Sequence, residues 1–203
     1  MISKIKAAFE RFLDSAIDCI IPPSMVSYES CHKHRLNYNT KLSDNVLLIV
    51  HPFYAKSIVK KEYYNNYERS VYKAIKAKNW TKALFTYPSA YNYEKALLES
   101  GRINKVFFTE QRSGVVLDQE NLDELQGKRL VLLGTYAELC VAQFLNSLKE
   151  RGINSVEYLV EGLLFSIARI NNVLDNNELL NRMISEDCMP NLKRVHLESI
   201  IKS

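Results

Sequence analysis

Residues 130–166 read LVLLGTYAELCVAQFLNSLKERGINSVEYLVEGLLFS, and three patterns follow one another in that stretch. Arg129-Leu130-Val131-Leu132-Leu133 is a short apolar run entering Gly134, which marks a strand buried on both faces. The spacing then predicts a helix over 138–151, with Leu139, Val141, Ala142, Leu145 and Leu148 on one side and Gly152 at its end. Val156-Glu157-Tyr158-Leu159-Val160 follows as a second strand. Strand, helix, strand is the unit that builds parallel sheets, because a parallel partner needs a long crossover.

The same alternation extends upstream. Val46-Leu47-Leu48-Ile49-Val50 is another continuous apolar run, followed by helical spacing over 56–78 through Ile58, Val59, Tyr63, Tyr67, Val71 and Ile75. Ala83-Leu84-Phe85-Thr86-Tyr87 is a strand ended by Pro88, and 91–100 a short helix closed by Gly101. Val106-Phe107-Phe108-Thr109 is a further strand, and Asp118–Leu125 carries acids suited to a helix start. Downstream, 173–202 reads as largely helical. The expected fold is α/β: a three-layer α/β/α sandwich, Rossmann-like, on a mostly parallel five- or six-stranded sheet.

Before the first strand, residues 2–20 read as an amphipathic helix, with Ile2, Ile5, Phe9, Phe12, Leu13, Ala16, Ile17 and Ile20 at three- and four-residue steps. Pro22 and Pro23 stop it, and 24–44 is an irregular connection. The chain thus divides into an N-terminal helix with its connection, 1–44, and an α/β domain, 45–203. The helix is expected to pack on the domain or on a second subunit.

Composition narrows the function classes. The 203 residues include 27 basic and 23 acidic side chains, a net charge of +4, with the basic residues scattered. That pattern gives no expectation of a nucleic-acid or membrane partner. Tyr63, Tyr64, Tyr67 and Tyr72, with Lys60, Lys61 and Arg69, could stack bases, but one aromatic helix face on the sheet is the expected reading. Cys19, Cys31, Cys140 and Cys188 fall at no regular spacing, so free thiols in a reduced, cytoplasmic setting are expected. Lys4, Lys6, Glu10, Arg11, Asp14 and Asp18 interrupt the N-terminal apolar residues, which argues against a secretory signal. Neither GxGxxG nor GxxxxGK[ST] occurs, and Cys31-His32-x-His34 is too compressed to close on one metal ion. No cofactor and no metal are expected.

In an open parallel sheet, ligands bind outside the carboxyl ends of the strands. The ends to inspect are His51, Thr86-Tyr87, Thr109-Glu110 and the run from Gly134 to Cys140. The last places a cysteine near the start of a helix leaving a buried strand. Backbone N–H groups there could stabilise a thiolate and hold an oxyanion formed by its attack on a carbonyl carbon. The other reading is a small buried cysteine at a helix–sheet contact. If catalytic, Cys140 is the nucleophile, and Tyr136, Ala137, Glu138 and Leu139 form the oxyanion pocket.

The run from Leu130 to Ser166 resembles the signature segment of the isochorismatase-like cysteine hydrolases. There a strand ends in Gly; Asp or Glu follows, then the nucleophilic Cys and Val. A helix, a small turn with Gly and a strand come next, and an acidic residue with Ser five positions on. Gly134, Glu138, Cys140, Val141, Gly152 and the pair Glu161 and Ser166 hold those places. Leu47-Leu48-Ile49-Val50-His51 resembles the first strand of that family, and Arg112-Ser113 with Leu122 and Leu125 the segment before the signature; the likeness spans roughly 45–166.

The resemblance implies a hydrolase fold, often oligomeric, with an Asp–Lys–Cys triad and a cis peptide two to three residues before the Asp/Glu. Cys140 matches. The Asp position is held by His51, and the Lys position falls near Thr109 or Glu110; Lys105 lies at the wrong end of its strand. Some members hold a metal with one Asp and two His, a cluster not found after the second strand. The implied function is a divergent isochorismatase-like protein lacking the full triad, acting in small-molecule binding or assembly as a homo-oligomer. The alternative is an active hydrolase of a small amide or ester-like substrate, using Cys140 with His51 as base.

Overall fold

The computed structural model describes residues 40–53, 59, 61–87, 91–110, 114–117, 119–166, 176–185 and 193–202. The helix read over 2–20 lies outside them, as do Cys19, Cys31, His32, His34, Arg112, Ser113 and Cys188.

Six strands form one wholly parallel sheet: β1 (Asn45–Val50), β2 (Thr81–Thr86), β3 (Lys105–Phe108), β4 (Arg129–Thr135), β5 (Val156–Leu164) and β6 (Lys193–Val195). Their order is β3-β2-β1-β4-β5-β6. The chain first builds outward from β1 through β2 to β3, then returns to the other side of β1 with β4. The direction of winding reverses between β1 and β4, the kind of switch point at whose carboxyl ends open α/β sheets bind ligands.

Apolar runs without alternation make these strands because both faces are covered. On one face Leu47, Ile49, Leu84, Val131 and Leu133 pack against α1 (Lys61–Ala74), α2 (Tyr91–Glu99) and α5 (Leu197–Lys202). On the other, Val46, Leu48, Val50, Leu130 and Leu132 meet α3 (Ala142–Glu150), α4 (Asn176–Ser185) and a 3-10 segment at Gln119–Leu125. The tyrosine-rich helix is shorter than the 56–78 its spacing predicts. Of that face Tyr67 and Val71 are buried and Tyr63 half-buried, with Tyr64 and Ala74 completing the buried side.

Three local readings need correction. The segment 173–202, read as largely helical, also contains β6, whose three residues bury only Val195. The helix read from 138 begins instead as a π-helical turn, Ala137–Val141, before α3. β5 runs four residues beyond its apolar core and bulges: Tyr158 faces Leu132, while Leu163 faces Gly134. Asn176 Nδ2 donates to the Val160 and Leu163 carbonyls at 2.8 and 3.0 Å, satisfying acceptors freed by that bulge.

Candidate active site

β1 and β4 end side by side, with Val50 opposite Gly134. The register explains the glycine. Gly134 has φ +147, and a Cβ there would lie 2.0 Å from the Val50 carbonyl oxygen. The next peptide, Thr135–Tyr136, is cis, where the resemblance implies a cis bond before Glu138. The Thr135 hydroxyl donates to the His51 carbonyl, tying the two strand ends together.

His51 leaves β1 with φ +44 and is buried to 1% exposure. Its backbone N–H continues the sheet by donating to the Phe85 carbonyl at 3.0 Å. Its ring crosses the end of β2 to reach β3, where Nε2 and Thr109 Oγ1 share a 2.7 Å hydrogen bond. Tyr87 packs against the imidazole, the two rings perpendicular at 5.1 Å. Burial pushes the pKa of the imidazole down to about 3, so the ring is neutral at physiological pH. Thr109 is held in turn by its N–H, which donates to the Thr86 carbonyl at 2.8 Å. The hydrogen bond thus joins the ends of β1 and β3 through two uncharged side chains.

Cys140 lies in the π-helical turn with 5% exposure. Leu139 and Val141 both donate their N–H groups to the Tyr136 carbonyl, at 3.0 and 3.1 Å, which anchors the turn to the cis peptide. Gly114, φ +75, brings the segment after β3 over this turn: a Cβ there would meet the Cys140 carbonyl oxygen at 2.3 Å. Burial pushes the thiol up to about 11, and the Glu138 charge adds to the rise; hydrogen bonds involving the Tyr136 and Cys140 backbone oppose it. The helix start and its N–H groups are present, but burial outweighs them. Among the described residues no hydrogen bond joins His51 to Cys140.

The remaining pocket residues divide. Tyr136 and Ala137 are buried, and Leu139 is half-buried. Glu138 accepts hydrogen bonds from both the amide N–H and the hydroxyl of Ser166, the amide at 2.7 Å. The acid–serine pair therefore forms between Glu138 and Ser166. Glu161, five positions before Ser166 in the chain, bonds His196 Nδ1 at 2.9 Å and accepts the Leu197 N–H at 3.1 Å, at the start of α5. Lys105 sits at the far end of β3, paired with Glu124. Glu110 is exposed.

One site group escaped the sequence reading. Glu94, in the first turn of α2, is 1% exposed beside Thr86, and neither carboxylate oxygen has a hydrogen-bond partner among the described residues. Burial raises its pKa to about 8, with the Thr86 side chain opposing. The signal was available: Glu94 shares a helix face with Leu97 and Leu98, three and four residues on. Among the described residues no three His, Cys, Asp or Glu side chains cluster as metal ligands. No helix among the described residues is long and apolar enough to cross a membrane.

No protein-family model matches the chain, and no curated protein matches it in sequence. Solved structures do. A MAR1 ribonuclease from Caenorhabditis elegans superposes with a TM-score of 0.53 at 18% identity, covering 80% of this chain and 82% of that one. An isochorismatase from Pseudomonas putida gives 0.51 at 12% identity, over 80% and 93%. An N-carbamoylsarcosine amidase from Thermoplasma acidophilum gives 0.50 at 12%, over 76% and 96%. At such identities the likeness is one of fold: the chain has the isochorismatase-like hydrolase fold.

Proposed function

We propose that this chain is a non-catalytic protein on the isochorismatase-like fold, binding a small molecule at the carboxyl ends of β1 and β4. The observation that carries this reading is the buried His51–Thr109 hydrogen bond. Where the family sets a carboxylate against an ammonium, this chain sets a neutral imidazole against a hydroxyl. Neither can supply the charge that lowers a buried thiol's pKa, and Cys140 is held as the thiol. The same neutral groups suit binding: they offer donors and acceptors without a charge to desolvate. The reading includes a cytoplasmic homo-oligomer that needs no cofactor.

A second reading is favoured by a specific feature. Cys140 stands at the head of a helical segment, close to backbone N–H groups that could hold an oxyanion, and the neighbours of this fold include a ribonuclease and an amidase by name. In that reading Cys140 attacks a small amide or ester-like substrate and His51 takes its proton. Turnover of a panel of small amides and activated esters, compared between the parent and Cys140→Ala, separates the two. Equal background rates are expected; turnover abolished by Cys140→Ala would establish the hydrolase.

A further inference from the structure

Basic residues scattered along the sequence are gathered by the fold at the amino end of the sheet, opposite Cys140. A groove of about 630 Å3 lies between the end of α1 and α5, lined by Lys73, Lys76, Lys78, Leu197, Ile201 and Lys202. A second depression of about 460 Å3 shares Lys76 and Lys78 with it and continues past Lys82 to Arg102. Lys73, Lys76, Lys78 and Arg102 are exposed, and no acid pairs with their side chains among the described residues. Lys202 has Glu198 as its partner, both ends of that pair lying in solvent.

Lys82 reports the local field. Its ammonium is spent on the Ala77 and Trp80 carbonyls. Burial lowers its pKa, and the charge of Arg102 lowers it further. The ends of α1 and α5 explain why single lysines sit well at Lys73 and Lys202, near the negative ends of helix dipoles. Helix ends do not account for Lys78, in the turn before β2, or for Arg102, in the connection before β3.

We propose that this basic track binds the phosphodiester backbone of nucleic acid, without reading its sequence. Phosphates require only cations and polar donors set along a path, which the two adjoining depressions supply. A protein interface core or a membrane-facing helix requires clustered apolar side chains. Ile201, half-exposed, is the large exposed apolar residue here, and Trp80 is buried, so nothing in the track stacks on bases. This departs from the expectation of no nucleic-acid partner, which the scatter of charges along the chain suggested.

The test is fluorescence anisotropy of a fluorescein-labelled oligouridylate titrated with the full chain at rising salt. Binding is expected at low salt, with a log–log salt slope of about −3, as for four phosphates at roughly 0.7 each. The variant Lys76→Ala/Lys78→Ala/Arg102→Ala is expected to bind on the order of tenfold more weakly with a shallower slope. Lys76→Arg/Lys78→Arg should bind as the parent does, and so should Cys140→Ser, which alters the opposite end. Absence of binding at low salt, or a triple variant that binds as the parent, would overturn the proposal. So would tighter binding of labelled poly-L-glutamate or of phosphatidylserine vesicles, which would assign the track to an acidic protein or a membrane.

Discussion

The two ends of the sheet handle buried polar groups in opposite ways. At the amino end, Glu157 and Lys105 meet opposite charges, while Lys82 is held by backbone carbonyls. Glu157, nearly buried in β5, lies between Arg129 and Lys193; burial alone would raise its pKa, but bonds and charges from both partners hold it below the ordinary value. Lys105 is likewise matched by Glu124. At the carboxyl end, His51, Glu94 and Cys140 are buried with no opposite charge among the causes acting on them, and each is pushed toward its neutral form. An ion is kept in a protein where a counter-ion stands beside it; otherwise its proton equilibrium moves until the charge is gone. On the non-catalytic reading proposed above, a buried thiol would need the first arrangement to react, and Cys140 stands in the second.

The largest effect should come from the backbone that closes the carboxyl end. Gly134→Ala sets a methyl group against the Val50 carbonyl oxygen at a φ that side chains avoid, and a loss of about 4 kcal/mol or more is expected in denaturant unfolding. Gly152, in the turn before β5 at the amino end, also has positive φ, but a Cβ there meets nothing within 4 Å. Its alanine variant should lose only about 1 kcal/mol, the backbone cost alone. Equal losses at the two glycines would contradict the close approach of β1 to β4.

The pH dependence of stability follows next. Glu94, with its folded pKa raised from 4.5 to about 8, binds a proton in the native state that the unfolded chain releases, so stability falls as pH rises through that window. His51, with its folded pKa lowered from 6.5 to about 3, is neutral when native but protonated when unfolded, so stability falls as pH drops below 6.5. Each contributes a slope of about 1.4 kcal/mol per pH unit inside its own window. The two oppose between pH 4.5 and 6.5. Glu94→Gln should therefore flatten the alkaline limb, measured by urea unfolding at pH 6.5 and 8, and leave the His51 slope unopposed between pH 4.5 and 6.5. An alkaline limb unchanged in Glu94→Gln would mean that the carboxyl is ionised and compensated.

Smaller effects sharpen the contrast between neutral and ionic pairing. Ser166→Ala removes the hydroxyl donor from half-buried Glu138 and should cost about 1–2 kcal/mol with little response to salt. Glu157→Gln should cost about 1 kcal/mol or less, and added salt should shrink the difference, because Arg129 and Lys193 reach into solvent.

Much of this architecture is legible in the residues. Continuous apolar runs at 46–50 and 130–133 report strands covered on both sides, and a parallel sheet follows. Gly134 lies in β4 and Cys140 in the turn that follows, with a cis bond at Thr135–Tyr136 as the resemblance implied. What failed to show had weak or nonlocal signals. β6 buries a single apolar side chain, too little for a period. The π-helical turn changes the backbone hydrogen-bond register without altering which residues are apolar. The Glu138–Ser166 hydrogen bond joins residues 28 apart, and nothing local in the chain brings them together. Glu94 was passed over because an acid in a helix is ordinarily solvated, and its burial comes from packing against the ends of the strands.

The neutrality of the carboxyl end is tested most directly by the pH dependence of iodoacetamide alkylation at Cys140, in a variant whose other three cysteines are replaced by serine. The rate is expected to be very low at neutral pH and to climb into the alkaline range without a plateau below about pH 11, as burial of the thiol requires. A plateau reached near or below pH 7 would contradict the account: a thiolate would be stabilised in the folded protein, and the site would hold a charge that His51 and Thr109 do not supply.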